Sequence, residues 1–222
     1  MVKGLINGIA VTAPEGSTIL EAARAAGIQI PTLCYLKDVN EIGACRVCVV
    51  EVKGVEKLVS SCDTPFTEGI EVVTNSPRVL AARRENVSLI LSEHNTSCTT
   101  CVRSGNCTLQ KLANDLNLTG DGLPCTPAEK DWDASLPLQR DASKCVKCLR
   151  CVSVCEKVQG LGIWEVNGTG ANTAVGVVGG LKLRDVNCAL CGQCVCHLHT
   201  ESCGTACDDC NTLFQREIGI HI

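Results

Sequence analysis

Apolar residues come in short, punctuated runs along the first third of the chain. Leu5-Ile6 and Ile9-Ala10-Val11 flank Asn7-Gly8, a dipeptide that marks a two-residue hairpin because both positions tolerate positive φ. Thr18 and Glu21 have capping-box spacing, Ile19, Ala22, Ala23 and Ala26 share one helical face, and Gly27 suits the C′ position. Residues 47–52 and 57–61 flank Gly54 as a looser hairpin, and residues 70–73 read as a further strand. The pattern predicts a small sheet packed on one helix, with a long loop between that helix and the third strand.

Farther on the period changes. Ser76-Pro77 is an N-cap and N1 pair, and Val79, Leu80, Arg83, Val87, Ile90 and Leu91 follow at helical spacing up to His94. Residues 106–116 repeat the helical pattern, residues 119–138 hold the Gly, Asp and Pro of a linker, and a third region starts near Asp141. Asn167-Gly168-Thr169-Gly170 is read as a turn, since it lacks the completed glycine pattern of a nucleotide loop. No catalytic Ser, His and Asp set is visible.

Composition changes this picture through one residue type. The 222 residues include 19 cysteines but only two Phe, two Trp and one Tyr, so something besides apolar packing must hold small cores together. A disulfide framework and metal ligation are the usual causes. Residues 1–13 are broken by Gly and Asn and make no signal peptide, no run approaches a membrane span, and an odd cysteine count cannot close entirely as intrachain disulfides. Metal binding in the cytoplasm is therefore expected. A net charge of −4 with mixed signs argues against a nucleic-acid surface, Arg83-Arg84 being the notable basic pair before the Cys-rich half.

The cysteines fall into sets. Cys34, Cys45, Cys48 and Cys62 follow C-x10-C-x2-C-x13-C; four thiolates in a wrapping loop suit two sulfide-bridged irons, while zinc or plain burial would also accept them. Ile30-Pro31-Thr32-Leu33-Cys34 and the run Gly43-Ala44-Cys45-Arg46-Val47-Cys48-Val49-Val50-Glu51-Val52 resemble the 2Fe-2S domain at the front of FeFe hydrogenases and of complex I iron-sulfur subunits. That resemblance implies a β-grasp fold.

His94-x3-Cys98-x2-Cys101-x5-Cys107, ending Ser104-Gly105-Asn106-Cys107, resembles the 4Fe-4S domain with one His and three Cys ligands that follows in the same families. Cys145-x2-Cys148-x2-Cys151-x3-Cys155 and Cys188-x2-Cys191-x2-Cys194 look like the two halves of a bacterial two-cluster ferredoxin, in which the fourth Cys of a run ligates the other cluster. The resemblance thus assigns Cys155 to the cluster of Cys188, Cys191 and Cys194. The second run departs from the family, with Leu198 and His199 where Cys and Pro are expected. The cluster on Cys145, Cys148 and Cys151 is left to take Cys196, His197, His199 or Cys203 as fourth ligand, or to hold three irons. Cys125, Cys207 and Cys210 receive no role.

The whole reads as an α+β chain. It comprises a β-grasp 2Fe-2S ferredoxin-type domain (1–76), a small helical 4Fe-4S domain (77–120), a linker (121–139), a two-cluster 4Fe-4S ferredoxin-type domain (140–198) and an unassigned tail (199–222). Arg150-Cys151-Val152-Ser153-Val154-Cys155-Glu156-Lys157-Val158-Gln159-Gly160 and Cys191-Gly192-Gln193-Cys194-Val195 look in particular like the electron-relay region of modular FeFe hydrogenases. The resemblance implies a relay of single electrons between a soluble donor or acceptor, ferredoxin or an NAD(H)-oxidising flavoprotein subunit, and a hydrogenase catalytic domain or subunit. The chain alone is expected to be non-catalytic. A truncated FeFe hydrogenase lacking its catalytic domain is the favoured expectation, and because the likeness stops inside a motif, just after Val195, a frame-shift is one origin for the tail. The alternatives are a free-standing diaphorase or NADH-dehydrogenase-type iron-sulfur subunit and, of another class, a zinc-binding structural protein.

Overall fold

Asn7 and Gly8 both have positive φ, 52° and 80°, and they join β1 (Val2–Ile6) to β2 (Ile9–Ala13) in register Ile6↔Ile9, as a type I′ turn requires. The computed structural model describes residues 1–118 and 140–186; the expected linker and tail lie outside them. Asn7 also closes the sheet, because its amide donates to Thr74 Oγ1 at 2.8 Å and accepts from the Thr74 N–H at 2.8 Å. Helix α1 (Ile19–Ala25) starts on the expected capping box and is followed by Gly27 at φ 73°.

The other strands are β3 (Val49–Val52), β4 (Val59–Ser60) and β5 (Glu71–Val73), giving a five-stranded sheet of order β2-β1-β5-β3-β4. β5 lies parallel to β1 and antiparallel to β3. One face of this sheet is buried by α1: Ile19, Leu20, Ala22 and Ala23 pack with Ile6, Val11, Ala13, Val50, Phe66 and Val72. Each large apolar side chain so buried contributes about 1.5–3 kcal/mol. Gly4 admits the ring above it, since a Cβ there would sit 2.6 Å from the Ile70 carbonyl oxygen and 2.8 Å from Phe66 Cζ.

Helix α2 (Pro77–Ser92) is capped by Ser76, whose Oγ accepts from the Val79 N–H at 3.2 Å. Arg83 is not part of a basic surface. It is 6% exposed, and its guanidinium donates to the carbonyls of Val47 (3.0 Å) and Val49 (2.9 Å), tying α2 to β3. Helix α3 (Thr108–Asp115) buries Leu109 and Leu112 in a second core with Leu33, Cys34, Cys45, Val47 and Val87.

After the undescribed stretch, α4 (Arg150–Ser153) runs into a π-helical turn, Val154–Val158. The antiparallel hairpin of β6 (Trp164–Asn167) and β7 (Ala174–Val177) follows, with Gly168 and Gly170 at positive φ in its loop. The Asn-Gly-Thr-Gly run is thus a hairpin loop, in keeping with its reading as a turn. Among the described residues no helix is long and apolar enough to cross a membrane.

Candidate iron-sulfur centres

The four front cysteines gather where the α1–β3 loop meets the end of β4. All are buried: Cys34, Cys45, Cys48 and Cys62 are 1%, 9%, 1% and 0% exposed. Cys48 Sγ lies 3.4 Å from Cys62 Sγ. The thiols share protons: those of Cys45 and Cys62 hydrogen-bond to Cys34 and hold it strongly towards the thiolate, down to about 2. Cys48 is lowered to about 7, chiefly by the Cys62 thiol, while Cys45 and Cys62 are pushed up, foremost by their bonds to Cys34. Two of the four sulfurs thus lean towards thiolate while the other two keep their protons, and the four lie close enough to act as one set of sulfur donors. Among the described residues no three His, Cys, Asp or Glu side chains close on a single ion site. Two irons, in contrast, take four thiolates as two pairs.

The cysteine loops carry left-handed backbone. Gly43 (φ 60°) and Arg46 (φ 52°) turn the loop around Cys45. A Cβ on Gly43 would meet Asp63 Oδ2 at 2.7 Å and Ser60 Oγ at 2.9 Å. Arg46 is held in this conformation by Ser60 Oγ (3.1 Å) and the Leu58 carbonyl (3.3 Å), while the Asn86 amide donates to its own carbonyl (2.8 Å). Lys147 (φ 52°) and Leu149 (φ 61°) do the same between Cys145, Cys148 and Cys151. Left-handed non-glycine residues cost on the order of 1–3 kcal/mol each and persist where surrounding contacts over-determine them. At Lys147 the result is an amide N–H that donates to Cys145 Sγ at 3.4 Å, while the Arg46 N–H closes a turn on the Gly43 carbonyl at 3.4 Å.

His94 lies just beyond α2, and the segment after it docks on the third region through Asn95 N–H to the Ser143 carbonyl, 2.7 Å. Burial, then the nearby Lys144, lowers the His94 pKa, which favours the neutral imidazole. Cys98, Cys101 and Cys107 follow through tight turns closed by Cys101 N–H to Cys98 (3.2 Å), Ser104 N–H to Cys101 (3.0 Å) and Asn106 N–H to Arg103 (3.0 Å). Cys107 is the N-cap of α3 and packs against the second core.

Cys145, Cys148 and Cys151 are close enough to perturb one another. Burial raises Cys148 and Cys151, the latter to about 11, and neighbouring cysteines add to both shifts. Cys155 sits apart in a third core with Ile163, Trp164, Val175, Val177 and Leu183, where Ile163 N–H donates to its sulfur at 3.3 Å. The partners assigned to it, Cys188, Cys191 and Cys194, lie outside the described residues, as do Cys125, Cys196, His197, Leu198, His199, Cys203, Cys207 and Cys210.

One site residue was invisible in the sequence. Asn40 is fully buried, and its amide donates to the Cys34 carbonyl (2.7 Å) and the Cys148 carbonyl (3.0 Å) while accepting from Ser153 Oγ (2.6 Å). Arg150 reinforces this splice through the carbonyls of Cys34 (3.2 Å) and Tyr35 (2.9 Å). Lys157 Nζ adds the Val39 carbonyl at 2.8 Å. Lys147 pairs with Glu93 at the end of α2. Cys34 is near enough for its charge to help raise the Cys148 pKa. No motif surrounds Asn40, so no sequence signal could have found it.

The family described as "2Fe-2S iron-sulfur cluster binding domain" matches residues 1–77, and the "NADH-ubiquinone oxidoreductase-G iron-sulfur binding region" matches residues 83–120. The NADP-reducing hydrogenase subunit HndD of Solidesulfovibrio fructosivorans is 43% identical over 203 residues, 88% of this chain and 34% of that protein. The alpha subunit of the NADPH-Fe(3+) oxidoreductase of Geobacter sulfurreducens is 36% identical over 199 residues, 88% of this chain and 23% of its own length. The chain thus spans about a third or less of these relatives. It covers 73% of the gamma subunit of the NAD-reducing hydrogenase HoxS of Cupriavidus necator, at 31% identity over 172 residues. A crystal structure of an NAD+-reducing [NiFe]-hydrogenase in the H2-reduced state superposes with a TM-score of 0.74 at 30% identity, covering 85% of this chain and 80% of that one.

Proposed function

The chain belongs to the iron-sulfur family that includes subunits of NAD-reducing hydrogenases and of NADH-quinone oxidoreductases, and from that premise we propose that it is a one-electron relay serving a hydrogenase-type or NADH-dehydrogenase-type catalytic partner. The observation that carries this is the Asn40 splice, which brings the ligand loop of Cys34 against that of Cys148. A merely structural metal site has no need of a second ligand set at its back.

The buried, closely packed front quartet supports the first of the groups proposed. Cys34, Cys45, Cys48 and Cys62 would hold a 2Fe-2S cluster, and His94, Cys98, Cys101 and Cys107 a 4Fe-4S cluster. Cys145, Cys148 and Cys151 would hold another with an outside fourth ligand, and Cys155 would complete one on Cys188, Cys191 and Cys194. Such clusters, when bound, accept and release single electrons without proton chemistry. The protein's own part is to bury the thiols, supply N–H donors to sulfur and hold the ligand loops in fixed register. Ferredoxin or an NAD(H)-oxidising flavoprotein subunit is the proposed exchange partner.

The identity to HndD favours the finer reading of the relay region of an FeFe-type hydrogenase. The match to most of the HoxS gamma chain favours the second reading, a diaphorase-type iron-sulfur subunit. Sequencing the locus separates them: a shifted frame continuing past Val195 into catalytic motifs supports the first.

Anaerobic reconstitution tests the relay itself. Full loading corresponds to about 14 irons per chain, two at the first site and four at each of three others. Two to four irons, or stoichiometric zinc, would sink the multi-cluster reading.

His94→Cys tests the middle set. Thiolate adds negative charge where imidazole is neutral, so the variant should keep a 4Fe-4S signal at a lower potential. An unchanged EPR-monitored titration would remove His94 from the ligand set.

A further inference from the structure

Ser61 stands directly opposite Cys48. Strands β3 and β4 pair Val49 with Ser60 and Val50 with Val59, and the next rung is closed by Ser61 N–H to the Cys48 carbonyl at 3.2 Å. Opposed residues of an antiparallel pair project to the same face with Cβ atoms about 4.5–5.5 Å apart, and both side chains here are buried, at 0% and 1% exposure.

The backbone of Ser61 is satisfied on both sides, its carbonyl accepting from Leu20 N–H at 2.9 Å. Its Oγ is a different matter: it is buried and makes no well-formed hydrogen bond. An orphan hydroxyl in a core costs about 1–3 kcal/mol, and replacing it by a methyl group would remove that cost. The hydroxyl is a donor, and a thiolate sulfur is a stronger acceptor for it than a protonated thiol. The acceptor at hand is the sulfur of Cys48, the residue directly across that rung. Arg83 adds positive charge to the same end of the site, since its guanidinium is buried on the carbonyls of Val47 and Val49, on either side of Cys48.

We propose that Ser61 is a potential-setting residue: its hydroxyl donates a hydrogen bond to the iron-bound Cys48 thiolate and raises the reduction potential of the 2Fe-2S centre. The inference rests on Cys48 being a ligand of that centre. Its direction follows from charge: a donor to sulfur stabilises the more negative, reduced state over the oxidised one.

The test is a pair of variants in the reconstituted full chain, Ser61→Ala and Ser61→Thr, followed by EPR-monitored redox titration and resonance Raman of the Fe–S stretches. Ser61→Ala is expected to keep its iron and its 2Fe-2S signal while the reduction equilibrium shifts about tenfold towards the oxidised form, close to 59 mV for one electron. The stretches involving the Cys48 sulfur should move with it. Ser61→Thr retains the hydroxyl and should hold the parent potential even if the added methyl lowers stability. A Ser61→Ala titration that overlays the parent, or a Ser61→Thr potential shifted like that of Ser61→Ala, would overturn the proposal. Cys48→Ala separates the premise: a full 2Fe-2S signal in that variant overturns the ligand assignment and the inference with it, whereas its loss beside an unmoved Ser61→Ala potential overturns the inference alone.

Discussion

Loaded with iron and sulfide, the protein should unfold at a markedly higher temperature than the same chain stripped of metal. The reason lies in where the front ligands sit. Cys48 and Cys62 belong to the same core as Ile19, Val50 and Phe66, and Cys34 and Cys45 to the core beneath α2 and α3, so a cluster there would join two cores through four bonds. Without metal the quartet must share protons in a buried space, with Cys45 and Cys62 holding theirs more tightly than an ordinary thiol. A ligand that binds only the folded state at a thousandfold its Kd adds about 4 kcal/mol. At roughly 2–4 °C per kcal/mol for a chain of this size, the midpoint should rise by about 8–16 °C. Because loading displaces thiol protons, the increment should grow with rising pH. Calorimetry of apo and loaded protein at two pH values checks both statements, and coincident midpoints would show that these thiols do not bind the metal.

Asn40→Leu should be among the most damaging single changes away from the ligands. It keeps the approximate volume but removes two donors and one acceptor from a fully buried position, abandoning the carbonyls of Cys34 and Cys148 and the hydroxyl of Ser153. Unsatisfied buried groups cost about 1–3 kcal/mol each, and with partial relaxation the loss should be roughly 3–5 kcal/mol. Denaturant unfolding followed by fluorescence would measure it, since Trp164 reports on the core of the third region. Ser153→Ala in the Asn40→Leu background should then cost little more, because the two share one bond. Additive losses, or a loss below about 1 kcal/mol for Asn40→Leu, would show that the splice holds nothing together.

The local elements were legible because they are written in neighbouring residues. Asn7-Gly8, the Thr18 and Glu21 box, and Ser76-Pro77 each specify bonds that close within four residues, and each forms as expected. Arg83 falls at helical spacing with Val79 and Val87, but the carbonyls of Val47 and Val49 that receive its guanidinium are set only by the packing of α2 on β3. The β6–β7 hairpin went unread because Trp164-Glu165-Val166-Asn167 and Ala174-Val175-Gly176-Val177 are short, and their loop was recognised only as a turn.

Cysteine spacing, hairpin turns and helix caps were settled by residue order, since a C-x2-C loop or a capping box needs nothing beyond its own few residues. What tertiary structure decided is which distant groups face one another. It set β5 between β1 and β3, placed Ser61 across from Cys48, and put Asn40 between two cysteine carbonyls, one of them 108 residues away. Such partners are chosen by the closing of cores around them, and a polar side chain carries no local sign of the carbonyl it will meet once water has been excluded from both.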